Sequence, residues 1–228
     1  MFSYYGSKAK IIKLYPEPKH ETIIEPFAGS AQYALRYWVQ NVILIEKYER
    51  IYNVWKWLIE EATPEFIMAL PLYQQRDKIT HPNKAVRDLL GLECNRGAEG
   101  APRPSAGKYN RWSENNGQGR ERIANNLHKI KHWRILLGDY SIAPDMKATW
   151  FIDPPYNCKS GLSYKHNCMA VDYDKLGQWC KSRQGQVIAC EDLGADWLPF
   201  EFLAMGSGQA SGKPSRNISM EAVWIKDE

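Results

Sequence analysis

A doubly wound α/β sheet is the fold this sequence predicts, on three observations. Short runs of bulky apolar residues, such as Val42–Ile45, Ala148–Ile152 and Gln186–Cys190, have the length and composition of buried parallel strands. Between them lie stretches whose apolar residues recur at helical spacing, so strand and helix alternate. At 228 residues, 44% hydrophobic and 25% charged, the chain can bury such a core and carry a modest insertion.

Thr22–Glu25 reads as the first strand, and Pro26-Phe27-Ala28-Gly29-Ser30 as the turn into a helix from about Ala31 to Val39. Gly29 lets a ligand approach the backbone there. A dinucleotide site wants two further glycines in that loop, but the next glycine is Gly91, which argues against NAD; nothing resembles a P-loop. Asn41–Glu46 is the second strand. Glu46 at its tip is placed to accept two vicinal ribose hydroxyls, and a helix-capping acid is the competing reading. Ile51, Val54, Trp55, Leu58 and Ile59 then mark the core face of a helix.

Residues 64–131 read as an insertion between catalytic-domain segments 1–63 and 132–228. Two helices, Pro64–Leu70 and Pro82–Cys94, precede a glycine-rich tract, Arg96–Arg120, and a third helix, Arg120–Lys131. Between Pro64 and Arg134, 13 Lys+Arg stand against 7 Asp+Glu, a balance of +6, while the remainder balances at −2. Positive charge placed there suits a phosphate-facing segment. The tract is expected to build no core of its own and to be mobile without a partner. Arginines and aromatics on such a loop suit base edges and stacking, with a solvated linker as the alternative.

Trp133–Leu137 is the third strand, leaving through Gly138-Asp139-Tyr140, where Asp139 also fits a plain turn. Ala148–Ile152 is the fourth. After it, Asn157–Ala170 forms a polar loop with Lys159, Tyr164, Lys165 and His166 that is expected to lie over the C-terminal strand edge and to close on DNA, and Asp172 caps a helix over Tyr173–Lys181. Gln186–Cys190 and a hairpin of Glu201–Met205 with Met220–Ile225 complete the sheet. Their connection, Gly206–Asn217, offers Lys213 and Arg216 to phosphates.

The chemistry is expected behind the fourth strand, at Asp153-Pro154-Pro155-Tyr156. Two prolines carry no N–H, so the corner is stiff and offers acceptors only. Asp153 adds a carboxylate and Tyr156 an aromatic face, which together complement a planar exocyclic amine; a strand-ending turn is the plainer alternative. Asp-Pro-Pro-Tyr is the catalytic signature of amino-group methyltransferases acting on nucleic-acid bases. The chain resembles the Dam-type (D12 class) DNA N6-adenine methyltransferases, including short phage-encoded members.

That resemblance implies the S-adenosylmethionine-dependent methyltransferase variant of the Rossmann-like fold, mostly parallel with an antiparallel last strand. It places Tyr4-Tyr5-Gly6-Ser7-Lys8 over the methionine part of the cofactor, with Ser7 at a position usually glycine. Glu25–Ser30 becomes the first cofactor motif, with Ala31 where a further glycine is frequent. Glu46 and Lys47 would take the ribose edge, and Asp139 and Tyr140 the adenine. Target recognition falls in the insertion, on Asn95, Arg96, Arg103, Lys108, Tyr109, Arg111 and Trp112. Double-stranded DNA is the implied partner, to a monomer or weak homodimer, and no metal is called for. RNA adenine, a protein amide, or a catalytically silent DNA-binding role remain open.

Other classes are disfavoured. The longest aliphatic run is too short to span a bilayer, and the N-terminus has no apolar leader region. Five scattered cysteines without a C-x-x-C pair suit a reducing cytoplasm. Cys158, His166 and Cys168 fit no common zinc spacing, and His128 and His132 lack a third ligand.

Overall fold

The computed structural model describes residues 1–97, 102–108, 110–206 and 219–227. Seven strands form one mixed sheet: β1 (Thr22–Glu25), β2 (Asn41–Glu46), β3 (Arg134–Leu137), β4 (Ala148–Ile152), β5 (Gly185–Asp192), β6 (Glu201–Gly206) and β7 (Ser219–Lys226). Their order is β3-β2-β1-β4-β5-β7-β6. The first five pair in parallel, while β7 pairs antiparallel with both β5 and β6, so β7 runs against the other six. This is a Rossmann-like α/β sheet, as the alternating pattern predicts.

Adjacent strand residues point to opposite faces, and both faces are buried. Ile23, Leu44, Phe151, Ile188 and Cys190 enter one apolar cluster; Ile24, Ile45, Trp150, Ile152 and Ala189 enter the other. The second cluster is closed by α6 (Tyr173–Ser182) through Leu176 and Cys180, and Asp172 caps that helix by accepting from Lys175 N at 3.0 Å.

The first cluster carries α1 (Gln32–Arg36), α2 (Glu49–Glu60), α3 (Pro64–Ala69), α4 (Lys84–Glu93) and α5 (Gln118–Asn126). α1 begins just after Ala31, which sits at φ +47 in the left-handed region, and it ends at Arg36, short of the expected Val39, where Tyr37 leaves helical geometry. α5 stops at Asn126 and gives way to a 3-10 turn. Segment 64–131 shares this cluster with α2: Ile67, Val86, Leu89, Ile123 and Leu127 lie beside Ile51, Trp55 and Leu58.

The Gly/Arg-rich tract departs from expectation. In its described part the backbone is hydrogen-bonded to residues 73–79: Tyr73 N to Trp112 O at 3.0 Å, Arg76 N to Ala106 O at 2.8 Å, and Ile79 N to Pro104 O at 2.8 Å. Ala106 and Trp112 are buried in the main cluster. Widely spaced apolar anchors and backbone pairing do what an amphipathic stripe does elsewhere.

Among the described residues no helix is long and apolar enough to cross a membrane.

Candidate active site

Strand order reverses between β1 and β4, and the crevice beyond the C-terminal strand ends at such a point is where ligands bind in open α/β sheets. A cleft of about 260 Å³ lies there. All the residues expected to hold the cofactor border it: Tyr4–Lys8, Glu25–Ser30, Glu46, Lys47, Asp139, Tyr140 and Asp153. They come from five chain segments: four meet because β1 to β4 end together, and the fifth, Tyr4–Lys8, is brought in from ahead of the first strand.

The loop after β1 is held tightly. Gly29, at φ +46, faces the Tyr4 ring, which a Cβ there would meet at 3.3 Å. Its N–H donates to Glu46 Oε2 at 3.2 Å, and its carbonyl accepts from Trp55 Nε1 at 2.9 Å. Glu25 accepts from Ala34 N at 2.6 Å and so serves the start of α1. Ala31 takes at φ +47 the conformation that glycine reaches freely. Burial pushes the Glu25 carboxyl up to about 8 and Glu46 to about 7, although N–H donors pull both down.

Glu46 also accepts from Tyr48 N at 2.9 Å, so its oxygens tie the two loops that frame the cleft. Across the mouth, Asp139 accepts from Ser141 Oγ at 2.7 Å and pairs with Lys47 at 3.6 Å. The Phe27 and Tyr140 rings stand 5.8 Å apart at 30° beside it.

The Asp153–Tyr156 corner behind β4 differs from expectation in one respect. Asp153 and Pro155 border the cleft; Pro154 and Tyr156 do not, and Tyr156 is only 8% exposed. One face of its ring lies under Lys8 Nζ, 4.4 Å from the centroid, and its hydroxyl donates to Glu221. Tyr156 is therefore no open stacking platform here. The Pro155 carbonyl accepts from the Tyr173 hydroxyl.

Lys8 borders the cleft and is also held by groups that the sequence does not announce. Its ammonium pairs with Asp153 Oδ1 at 3.0 Å and Glu221 Oε1 at 3.4 Å. Burial opposes the charge, but the two carboxylates outweigh it and hold the amine protonated far above the ordinary lysine range. For Glu221, burial, helped by the like charge of Asp153, outweighs the Lys8 ammonium and the two tyrosine hydroxyls, so its carboxyl rises.

Several residues here escaped the sequence reading. Glu221, on β7, also accepts from Tyr15 Oη at 2.5 Å. Its only sequence signal is one acid inside an apolar strand. Glu191, fully buried at the end of β5, accepts from Asn157 N and, at 3.0 Å, from Trp197 Nε1, bracing the loop behind the corner. Tyr164, by contrast, belongs to the polar loop expected over this edge and does border the cleft; its ring lies 5.2 Å from Tyr5, and its hydroxyl reaches Tyr5 O at 3.4 Å. Glu93, buried on α4, accepts from Ser3 N at 2.5 Å and Arg122 Nη2 at 2.7 Å, so the insertion fixes the start of the Tyr4–Lys8 segment.

The residues expected to read DNA separate into groups. Lys165 is exposed and borders the cleft. Arg96, Arg103 and Lys108 are exposed and do not line it. Asn95 is committed within the fold, donating to Gly91 O and Ser105 O at 2.9 Å each, and Arg111 donates to Ser3 Oγ at 3.3 Å. Trp112 is a correction: it is fully buried and is a core residue. Tyr109, Lys213 and Arg216 lie outside the described residues.

Among the described residues no group of three or more His, Cys, Asp or Glu is placed to hold a metal ion. His132 meets the Gln40 carbonyl at 3.0 Å and His128 the Trp38 ring.

The fold and cleft define the class: a Rossmann-like α/β protein with a polar-rimmed crevice at its topological switch point. Comparison with models of known protein families and with curated proteins finds no match.

Proposed function

We propose that the chain is an S-adenosylmethionine-dependent methyltransferase acting on N6 of adenine in DNA. One observation carries the reading: Asp153, at the end of β4, opens onto the same cleft as Tyr4–Lys8, the Gly29 loop, Glu46 and Asp139. The strand order, with a reversed β7 between β5 and β6, agrees with the methyltransferase variant that the sequence resemblance implies.

The residues fit the cofactor. Two acids, Glu46 and Asp139, stand at the ends of β2 and β3 to accept ribose hydroxyls and an adenine amine. Phe27 and Tyr140 offer apolar faces between them, and Gly29 leaves room that a Cβ would take. When bound, the cofactor supplies an electrophilic methyl carbon.

The chain's own residues supply orientation and charge. The N6 lone pair of adenine is delocalised into the ring and attacks poorly. A hydrogen bond from an N–H of that amine to Asp153, which borders the cleft, would favour pyramidal nitrogen and stabilise the positive charge that develops there. Holding that nitrogen near the methyl carbon converts a bimolecular step into an oriented one. An amine inside a duplex is out of reach, so the base must be extruded. Stacking on Tyr156 then belongs to a conformation in which Lys8 has left the ring.

The test is transfer of tritiated methyl from the cofactor to DNA, RNA and protein, with modification mapping of the product. Asp153→Ala is expected to lower transfer by on the order of 10²–10³-fold or more, with cofactor affinity in calorimetry little changed. Labelling of RNA or protein instead would replace the substrate, and absence of cofactor binding would overturn the enzyme reading.

A further inference from the structure

The mechanism above uses Asp153 but leaves unexplained why a lysine should sit where the substrate's amine is needed. Lys8 Nζ touches three groups: Asp153 Oδ1 at 3.0 Å, Glu221 Oε1 at 3.4 Å and the Tyr156 ring, 4.4 Å below. Two carboxylates and one aromatic face are what a primary amine asks of a binding site, since N–H donors need acceptors and a cation gains from a π-face.

The site is built rather than incidental. Lys8 is 8% and Glu221 3% exposed. Glu221 is fixed by the Tyr15 hydroxyl at 2.5 Å and by that of Tyr156. The Lys8 carbonyl accepts from Ile11 N and Ile12 N, at 2.9 Å each, so the backbone behind the lysine is anchored. The chain enters through Gly6, at φ +72, where a side chain would strike the Tyr164 hydroxyl.

We propose that Asp153, Glu221 and Tyr156 form a seat for a primary amine which Lys8 fills from within the chain, so that an incoming amine enters only by displacing Lys8. Combined with the function proposed above, on which this step rests, the ammonium stands in for the N6 amine of the target and keeps the aromatic face covered until the base arrives. Lys8 shares its segment with Tyr4 and Tyr5, which line the cofactor cleft, so amine entry moves the wall of that cleft. An attached competitor acts at a high effective concentration, so free small amines cannot dislodge it.

The seat can be tested without nucleic acid or cofactor. Lys8→Met keeps an apolar stem and leaves room for one ammonium ion; Lys8→Ala leaves room for ethylammonium. In thermal melts, ammonium chloride should raise the melting temperature of the first variant, and ethylammonium chloride that of the second. The rise should be saturable and about 2–4 °C at several times the dissociation constant, measured against equal tetramethylammonium chloride, which has no N–H donor. The wild type, and either variant combined with Asp153→Asn, should show no such gain. Two variants guard against one failing to fold. The same response to both salts in the variants, or an equal gain in the wild type, overturns the seat and leaves the methyl-transfer assay to stand alone. A seat that binds amines in a protein with no methyl acceptor retires the functional reading and keeps the seat.

Discussion

Glu221, on β7, reaches Tyr156 in the corner behind β4, and the Tyr156 hydroxyl donates to its carboxylate. The same oxygen accepts from Tyr15 Oη at 2.5 Å and faces Lys8 Nζ at 3.4 Å, so one buried acid joins three segments. Truncating it orphans two hydroxyls and leaves Lys8 with Asp153 alone. Glu221→Ala should cost about 2–5 kcal/mol in urea unfolding, and a cycle with Tyr15→Phe should show coupling of roughly 1 kcal/mol. A loss under about 0.5 kcal/mol, the size of an ordinary surface change, would mean that this junction is not formed.

Glu25 makes stability depend on pH. It is 3% exposed, and burial lifts its carboxyl to about 8 in the folded chain, against about 4.3 when unfolded. Between those values the folded state binds the extra proton. The stabilisation is fully present below the unfolded value and is lost as pH rises through the folded one. Glu46, lifted to about 7, adds to the same trend. Urea unfolding at pH 5, 6.5 and 8 should therefore show falling stability, and Glu25→Gln should flatten the fall. Equal slopes for the two proteins would show that the Glu25 carboxyl titrates normally.

Much of this was legible in the chain. The five parallel strands announce themselves as short apolar runs, and Glu25–Ser30, Glu46, Asp139 and Asp153, picked out mainly by resemblance, come together because strand ends in such a sheet meet at one edge. What stayed hidden depends on distant partners. No local pattern says that Lys8 lies over Tyr156, or that Glu221 will meet both. Glu93 looks like an ordinary helix acid until Ser3 N and Arg122 close on it. Trp112 was misread for a different reason. Glycine- and arginine-rich surroundings suggest a solvated loop, yet a single tryptophan supplies enough apolar area to draw such a loop onto a core.

Trp112 and Lys165 should therefore fail in opposite ways. Trp112→Ala removes a fully buried ring and is expected to cost about 3–5 kcal/mol. Lys165 is exposed at the rim of the cleft, so Lys165→Ala should leave the melt nearly unchanged. It should weaken binding of an oligonucleotide and lower the slope of log affinity against log salt by about 1. Titrations at three salt concentrations separate the two, and a stable Trp112→Ala protein with weakened DNA binding would restore the recognition role.

Gly97 links the segment 64–131 to the cleft wall at Tyr4. It follows Arg96, at φ +56, and itself sits at φ +68, with its backbone against that of Ser3 and Tyr4; a Cβ there would come within 2.7 Å of the Ser3 carbonyl carbon. The neighbouring atoms are main chain and have no rotamer to escape into. Gly97→Ala therefore combines backbone strain with a collision, and relief comes by pushing the Tyr4–Lys8 segment off its anchor at Glu93. Tyr4 also lies against Gly29, so the displacement reaches the loop after β1. Calorimetry should show cofactor affinity reduced about tenfold or more, a change of roughly 1.4 kcal/mol, in a protein whose far-ultraviolet spectrum is unchanged. Unaltered affinity in a folded Gly97→Ala variant would show that the insertion does not position the N-terminal wall of the cleft.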